Sequence, residues 1–370
     1  MNTVATESPA AELSPDRPGP GLLGLAERGV LPDALLRHGI RRLCARRLAE
    51  ERRDGLAAQG ARAARLIEEL RRSPIAIHTA AANAQHYELP AAFFEQCLGP
   101  RLKYSCAWYP TGGESLAQAE EAMLRAYEER ADLADGQSIL ELGCGWGSLT
   151  LWMAERFPRA RITAVSNSHH QRAHIEAACR TRGLANVRVI TADVNSLALD
   201  PATFDRCVSV EMFEHLRNVG SLMDRIAAWL RPGGKLFVHL FAHRTLCYPF
   251  ETAGEDNWMG RHFFTGGLMP AADTLLHFQD RLRLEQRWLL DGTHYERTAN
   301  HWLERQDANA AAVRATLRGA YGERADLWFQ RWRMFWMACA ELFGYARGQE
   351  WLVAHYRFVR DEASGTGGRA

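Results

Sequence analysis

A chain of 370 residues with a formal net charge of +1 has no global electrostatic pull toward nucleic acid or an anionic membrane. Its length suits two domains, or one large domain with additions, and 47% hydrophobic with 24% charged residues matches an ordinary soluble globular protein. The eight cysteines, at 44, 97, 106, 144, 179, 207, 247 and 339, contain no CxxC pair and no Cys/His cluster at zinc spacing. That pattern argues against a disulfide framework and a metal site, and for a reducing compartment. No signal-peptide pattern and no apolar run of membrane-spanning length occurs, so a cytoplasmic location is expected.

Residues 1–20 are rich in Pro, Ala, Ser and Glu, and 362–370 read similarly; both are expected to be disordered tails. From about 21 to 80 apolar residues recur at helical spacing (Leu35, Leu36, Ile40, Leu43, then Leu66, Ile67 and Leu70), which predicts several short helices. Their Arg-rich face is expected to be solvated or packed on a neighbouring subunit. "GESLAQAEEAMLRAYEERADL" predicts an amphipathic helix, with Ser115 and Gln118 as a capping box.

From 138 strands and helices alternate. "SILELGCG", "ARITAVSNS", "VRVITADV", "FDRCVSVEMF" and "KLFVHLFA" read as strands. "WGSLTLWMAERF", "HHQRAHIEAACRTRGL" and "VGSLMDRIAAWLRPGG" read as the helices between them. The alternation predicts an α/β fold with a doubly wound, mostly parallel sheet, and places the core of the fold at 116–243. The stretch 21–115 forms a helical N-terminal extension. Residues 244–361 are aromatic-rich and helical over roughly 297–345; they are expected to lie over the ligand crevice, although core packing explains many of the rings equally well.

The turn "ELGCGWG" sits where the first strand meets the first helix, where small residues let a ligand approach the backbone and free helix N–H groups. It is not a GxGxxG turn with a dinucleotide's acidic residue about twenty positions on. The second strand instead ends in neutral hydrogen-bonding groups, and the third ends at Asp193. Together they describe a nucleoside-plus-amino-acid ligand: Gly143 and Gly145 beside the aminoacyl portion, Asn167 or Gln171 at the ribose, Asp193 at the adenine amino group. That ligand is S-adenosylmethionine, and the pattern is that of a class I methyltransferase.

"DRCVSVEMFEHLRN" then places Glu211, Glu214 and His215 at i, i+3 and i+4, just past the carboxyl end of the fourth strand. If a helix begins at or before Glu211, all three share a face. Methylating an amine needs an unprotonated nitrogen, so a carboxylate that holds the incoming cation, beside a group that takes its proton, suits the reaction. Transfer itself is an in-line displacement governed by positioning.

"YSCAWY", "ELGCGWGSL", "EMFEH", "FFTGG" and "ELFGY" resemble the cyclopropane-fatty-acid-synthase superfamily of methyltransferases. Within it the chain is most similar to the coclaurine and pavine N-methyltransferase branch. The resemblance implies that Tyr104 and Ser105 close over the methionine end of S-adenosylmethionine, and that Glu211, Glu214 and His215 form the catalytic cluster. Candidate substrate-binding residues are His239, Trp258, Phe264, Tyr295, Trp332 and Phe335. Lipid cyclopropane synthases resemble one another in holding bicarbonate as base, and the matching residue types here are Cys144, Glu214, His239 and Tyr295. Those synthases carry Gly where this chain has Glu211, which would repel bicarbonate and suit an amine. In the aromatic wall the plant enzymes read "YWR" where this chain reads "RWR"; Arg331 would either face the pocket or point to solvent. The expectation is a homodimeric methyltransferase of a small amine, tetrahydroisoquinoline-like, without nucleic-acid partners. The alternative is a cyclopropane-fatty-acyl-phospholipid synthase that meets membrane lipid and uses bicarbonate.

Overall fold

Seven strands build one sheet in the order β3-β2-β1-β4-β5-β9-β8: β1 (Ser138–Leu142), β2 (Arg161–Ser166), β3 (Val187–Thr191), β4 (Phe204–Val210), β5 (Leu230–His243), β8 (Leu282–Leu290) and β9 (Trp351–Arg360), while β6 (Tyr248–Pro249) and β7 (Leu268–Met269) pair with each other in a separate small sheet. The computed structural model describes residues 17–77, 89–254 and 257–361. The expected tails fall outside these residues, except for 17–20.

The first five strands pair in parallel, while β9 runs antiparallel to both β5 and β8. Successive strand residues serve opposite faces, as strand geometry requires. Ile139, Val208 and Phe237 join one hydrophobic core, whereas their neighbours Leu140, Cys207 and Leu236 join the other. Both faces are covered, so the strands read as apolar runs. The order reverses at β1 and β4, which opens a crevice at their carboxyl ends.

Among the helices, α1 (Gly21–Glu27), α2 (Asp33–Arg52) and α3 (Gly55–Arg72) form the N-terminal extension. The capped helix, Leu116–Arg130, begins as expected: Ser115 Oγ accepts from Gln118 N–H, and Gln118 Oε1 accepts from Ser115 N–H. The stretch "VGSLMDRIAAWLRPGG" is helical only to Trp229; from Leu230 it is already β5. Pro232 and the Gly233-Gly234 pair cannot continue a helix.

The Arg-rich face of α2 is largely solvated, one of the two expected outcomes, with Arg41, Arg42, Arg46 and Arg52 exposed. Arg37 and Arg41 pair with Glu341 on the 325–344 helix, and Arg52 pairs with Glu350. These arginines tie the extension to the chain's own C-terminal region.

Arg331 faces neither the pocket nor solvent. It is buried, with Nε donating to Glu27 Oε1 at 2.9 Å, and its guanidinium also bonds the Arg17 carbonyl. Glu27 additionally accepts from Trp258 Nε1 and Gly19 N–H. A buried pair of opposite charge offsets its desolvation through such added hydrogen bonds. Trp302, Trp332 and Trp336 are fully buried, and the Arg331 guanidinium lies 5.0 Å from the Trp328 ring centre. No helix among the described residues is long and apolar enough to cross a membrane.

Candidate active site

The turn after β1 carries Gly143, Gly145 and Gly147, all with positive φ (78°, 53° and 83°). A Cβ on Gly143 would lie 2.8 Å from Met212 Cβ, and one on Gly147 2.7 Å from Ile175 Cγ1, so side chains are excluded there. At Gly145 nothing lies within 4 Å, and the backbone borders open cavity.

That cavity has about 1270 Å³ of empty volume. Tyr104, Ser105, Gly143, Gly145, Asn167, Gln171 and Asp193 all line it, so the structure brings every expected cofactor residue to one place. Its walls keep unused hydrogen-bonding capacity: Gln171 Nε2, Ser148 Oγ and Trp146 Nε1 are buried with no partner among the described residues. Orphaned buried donors are costly unless a ligand meets them. The Gly-lined backbone and these donors fit the amino-acid and nucleoside ends of S-adenosylmethionine.

Two charged wall residues were not singled out from the sequence. Burial pushes the Glu141 carboxyl up to about 8, and its Oε2 accepts from Thr150 Oγ1 at 2.5 Å. Burial pulls the Lys103 ammonium down to about 8; its Nζ donates to Ser105 Oγ and the Cys106 carbonyl and lies 5.1 Å from the Tyr127 ring centre. Nothing in local sequence marks a lysine that folding will bury.

The cluster after β4 is not a helix face. Glu211 sits at φ +46°, and the only helical turn is a 3₁₀ turn over Phe213–His215. A left-handed residue ends regular structure, and the chain bends back so that Glu211 N–H bonds the His239 carbonyl at 2.9 Å. Glu211 and Glu214 therefore diverge. Glu214 turns inward, lines neither cavity described here, and accepts from Phe241 N–H at 2.7 Å. Its buried carboxyl is held well above the usual range by desolvation and by the neighbouring Glu211.

Glu211 points into the site. Its Oε1 accepts from Cys106 N–H at 3.0 Å and meets His239 Nε2 at 3.1 Å; its Oε2 accepts from Tyr295 OH at 2.6 Å. Burial pushes this carboxyl up, while Lys103 and the Tyr295 and Cys106 hydrogen bonds pull it back. His215 stacks on Phe264 with ring centres 4.8 Å apart, and burial holds its imidazole down to about 4.

A second cavity of about 680 Å³ adjoins the first. It is mostly apolar, with Phe264, Phe335, Trp302 and Phe343 among its walls. Three residues line both cavities: Tyr104, Glu211 and His215. A group passing from a ligand in one cavity to a ligand in the other must cross at these three. Of the expected substrate residues, Phe264, Tyr295 and Phe335 line the second cavity. The others are placed elsewhere: His239 lies behind Glu211, Trp332 is core, and Trp258 lines a separate cleft beside α2.

The family model of mycolic acid cyclopropane synthetase matches residues 76–350. The chain belongs to this family. Curated members similar to it include (S)-coclaurine N-methyltransferase of Thalictrum flavum subsp. glaucum, 37% identical over 92% of this chain and 95% of the relative. Cyclopropane-fatty-acyl-phospholipid synthase of Escherichia coli K12 is 28% identical over 75% of this chain and 68% of its own length. A crystal structure of coclaurine N-methyltransferase bound to N-methylheliamine and SAH superposes with a TM-score of 0.88 at 36% identity, covering 91% of this chain and 98% of that one. The mycobacterial cyclopropane synthase MmaA2 shares the fold at a TM-score of 0.67 and 23% identity, covering 78% of this chain and 100% of that one. This cyclopropane-synthetase family member is an S-adenosylmethionine-dependent methyltransferase.

Proposed function

We propose that the enzyme N-methylates a small cyclic or aromatic amine, tetrahydroisoquinoline-like, and that Glu211 is the residue that selects it. The observation that carries this reading is the Glu211 carboxylate at the junction of the two cavities. S-adenosylmethionine supplies the electrophilic methyl group from the first cavity. The acceptor occupies the second, where aromatic walls suit a ring or a cation.

Glu211 holds the incoming ammonium and takes its proton, which leaves a lone pair on nitrogen. The new N–C bond then forms as the S–C bond breaks, with the proton on the Glu211 carboxyl. His215, neutral at working pH, stacks on Phe264 and bounds the methyl path. Tyr295 and His239 orient Glu211, and Glu214 anchors the 3₁₀ turn to β5 through Phe241. The family's N-methyltransferases among the relatives support the reaction class.

The lipid alternative loses its base in this arrangement. His239 and Tyr295, two of the groups expected to hold bicarbonate, are already committed to the Glu211 carboxylate. A second anion beside it would be repelled. Incubation with S-adenosylmethionine and, separately, with cyclic secondary amines and unsaturated phospholipids tests the reading. Methylated amine is expected; cyclopropanated lipid alone, dependent on bicarbonate, would overturn it.

A further inference from the structure

Behind Glu211 lies a buried line of polar side chains that methyl transfer does not touch. His239 on β5 and His355 on β9 are directly opposed cross-strand partners. His355 Nε2 meets His239 Nδ1 at 2.9 Å, and His239 Nε2 meets Glu211 Oε1 at 3.1 Å. At the outer end Arg130, the last residue of the capped helix, places Nη1 2.7 Å from His355 Nδ1. Its guanidinium is half-buried, 5.3 Å from the ring centres of both Trp108 and Trp288.

The polarity of this line follows from its outer member. A guanidinium can only donate, so His355 Nδ1 must accept. A neutral His355 then carries its proton on Nε2 and donates it to His239 Nδ1. That nitrogen must in turn be bare, so His239 carries its proton on Nε2 and donates to Glu211. The Tyr127 hydroxyl, 2.8 Å from the same bare His239 Nδ1, must also donate to it, and the two donors share that nitrogen's lone pair. Both imidazoles are fully buried, which favours their neutral forms.

We propose that Arg130 and His355 are positioning residues for methyl transfer, because the chain Arg130–His355–His239 presents one fixed N–H to Glu211 and holds it as an ionised acceptor. The inference rests on Glu211 being the residue that meets the acceptor amine. Three donors then converge on that carboxylate: Cys106 N–H, His239 Nε2–H and Tyr295 OH. The line is also closed to proton exit, since Arg130 cannot accept a proton. The proton taken by Glu211 must leave through one of the two cavities that Glu211 lines.

Other groups facing Glu211 set the rest of its titration. They are Lys103 and Cys106 from the segment before the capped helix, Tyr127 within it, His215 and Glu214 from the 3₁₀ turn, Tyr295 from the 293–308 helix and Cys339 from the 325–344 helix. Of these Lys103, at about 8, belongs to the basic side of any pH profile.

Two measurements test the proposal. In the full-length enzyme labelled with ¹⁵N-histidine, long-range ¹⁵N–¹H correlation at pH 7 should show His239 and His355 as neutral Nε2–H tautomers. An Nδ1–H tautomer or an imidazolium at either position would overturn the chain, whatever the acceptor proves to be. In kinetics, Arg130→Met should move the acidic limb of the kcat/KM profile upward by about one pH unit or more, with cofactor affinity unchanged. Arg130→Lys, which restores a donor, should move it back. A profile scaled down with its limb unmoved would mark Arg130 as merely structural. If the wild type turns over no amine, the reading of the acceptor fails while the tautomer measurement still judges the chain.

Discussion

Glu211→Gln separates catalysis from stability at one atom. The amide oxygen can keep the bonds from Cys106 N–H and His239, and the amide nitrogen would face the Tyr295 hydroxyl, which can turn to accept. The site's shape is therefore retained and its charge removed. A carboxylate and an ammonium about 4 Å apart at an effective dielectric near 20 attract by about 4 kcal/mol, or roughly a thousandfold in kcat/KM. General-base assistance, which draws on the same group, is worth a similar ~10²–10⁴-fold, so the two overlap rather than multiply. Stability should move the other way or scarcely at all. Burial raises this carboxyl above its unfolded value, so the folded state binds the extra proton and ionised Glu211 costs stability as pH rises past about 4.3. Glutamine removes that cost, although Lys103 loses a partner that helps keep it charged. The assays are initial rates with varied amine at saturating S-adenosylmethionine, calorimetric cofactor binding, and thermal melts at pH 7.5. A loss smaller than tenfold, or a parallel collapse of cofactor affinity, would refute the assignment of Glu211 to the acceptor.

Tyr295→Phe removes the 2.6 Å bond to Glu211 Oε2. Hydrogen bonds to charged groups contribute about 1.5–3 kcal/mol, so kcat/KM for the amine should fall roughly ten- to a hundredfold with cofactor affinity unchanged. Arg331→Leu strands Glu27 in the interior and should destabilise the protein by about 3–5 kcal/mol in urea unfolding. Adding Glu27→Gln should recover part of that loss, and strict additivity would show that the pair is not coupled. His215 is held down to about 4 by burial, below its unfolded value near 6.5. Its contribution to stability is thus complete above about pH 6.5 and is lost as pH falls through 4. His215→Asn should flatten the melting temperature against pH within that window, and an unchanged curve would count against a neutral buried imidazole.

The parallel part of the sheet, the capping box and the cofactor cavity were legible because each depends on neighbours in the chain. Apolar runs broken by Gly-rich turns make strands. Ser115 and Gln118 lie three residues apart, and Gly143, Gly145, Asn167 and Asp193 stand just past strand ends that a doubly wound sheet gathers on one side, with Gln171 in the helix that follows; Tyr104 and Ser105 came only from the family resemblance. The antiparallel β8–β9 edge was not named strand by strand, since its identity rests on pairing with β5 across the fold. The spacing of Glu211, Glu214 and His215 suggested a shared helix face, but spacing assumes a regular backbone, and the left-handed turn at Glu211 sends its carboxylate into the site while Glu214 is buried against β5. For Arg331 the sequence offered only pocket or solvent, because its buried partner, Glu27, lies 304 positions away. His239 and His355 are separated by 116 positions and meet only through strand register. Local sequence therefore carries the scaffold and the cofactor end. Which charges are buried, which carboxylate faces the acceptor and what holds it ionised depend on contacts that exist only once distant segments have packed together.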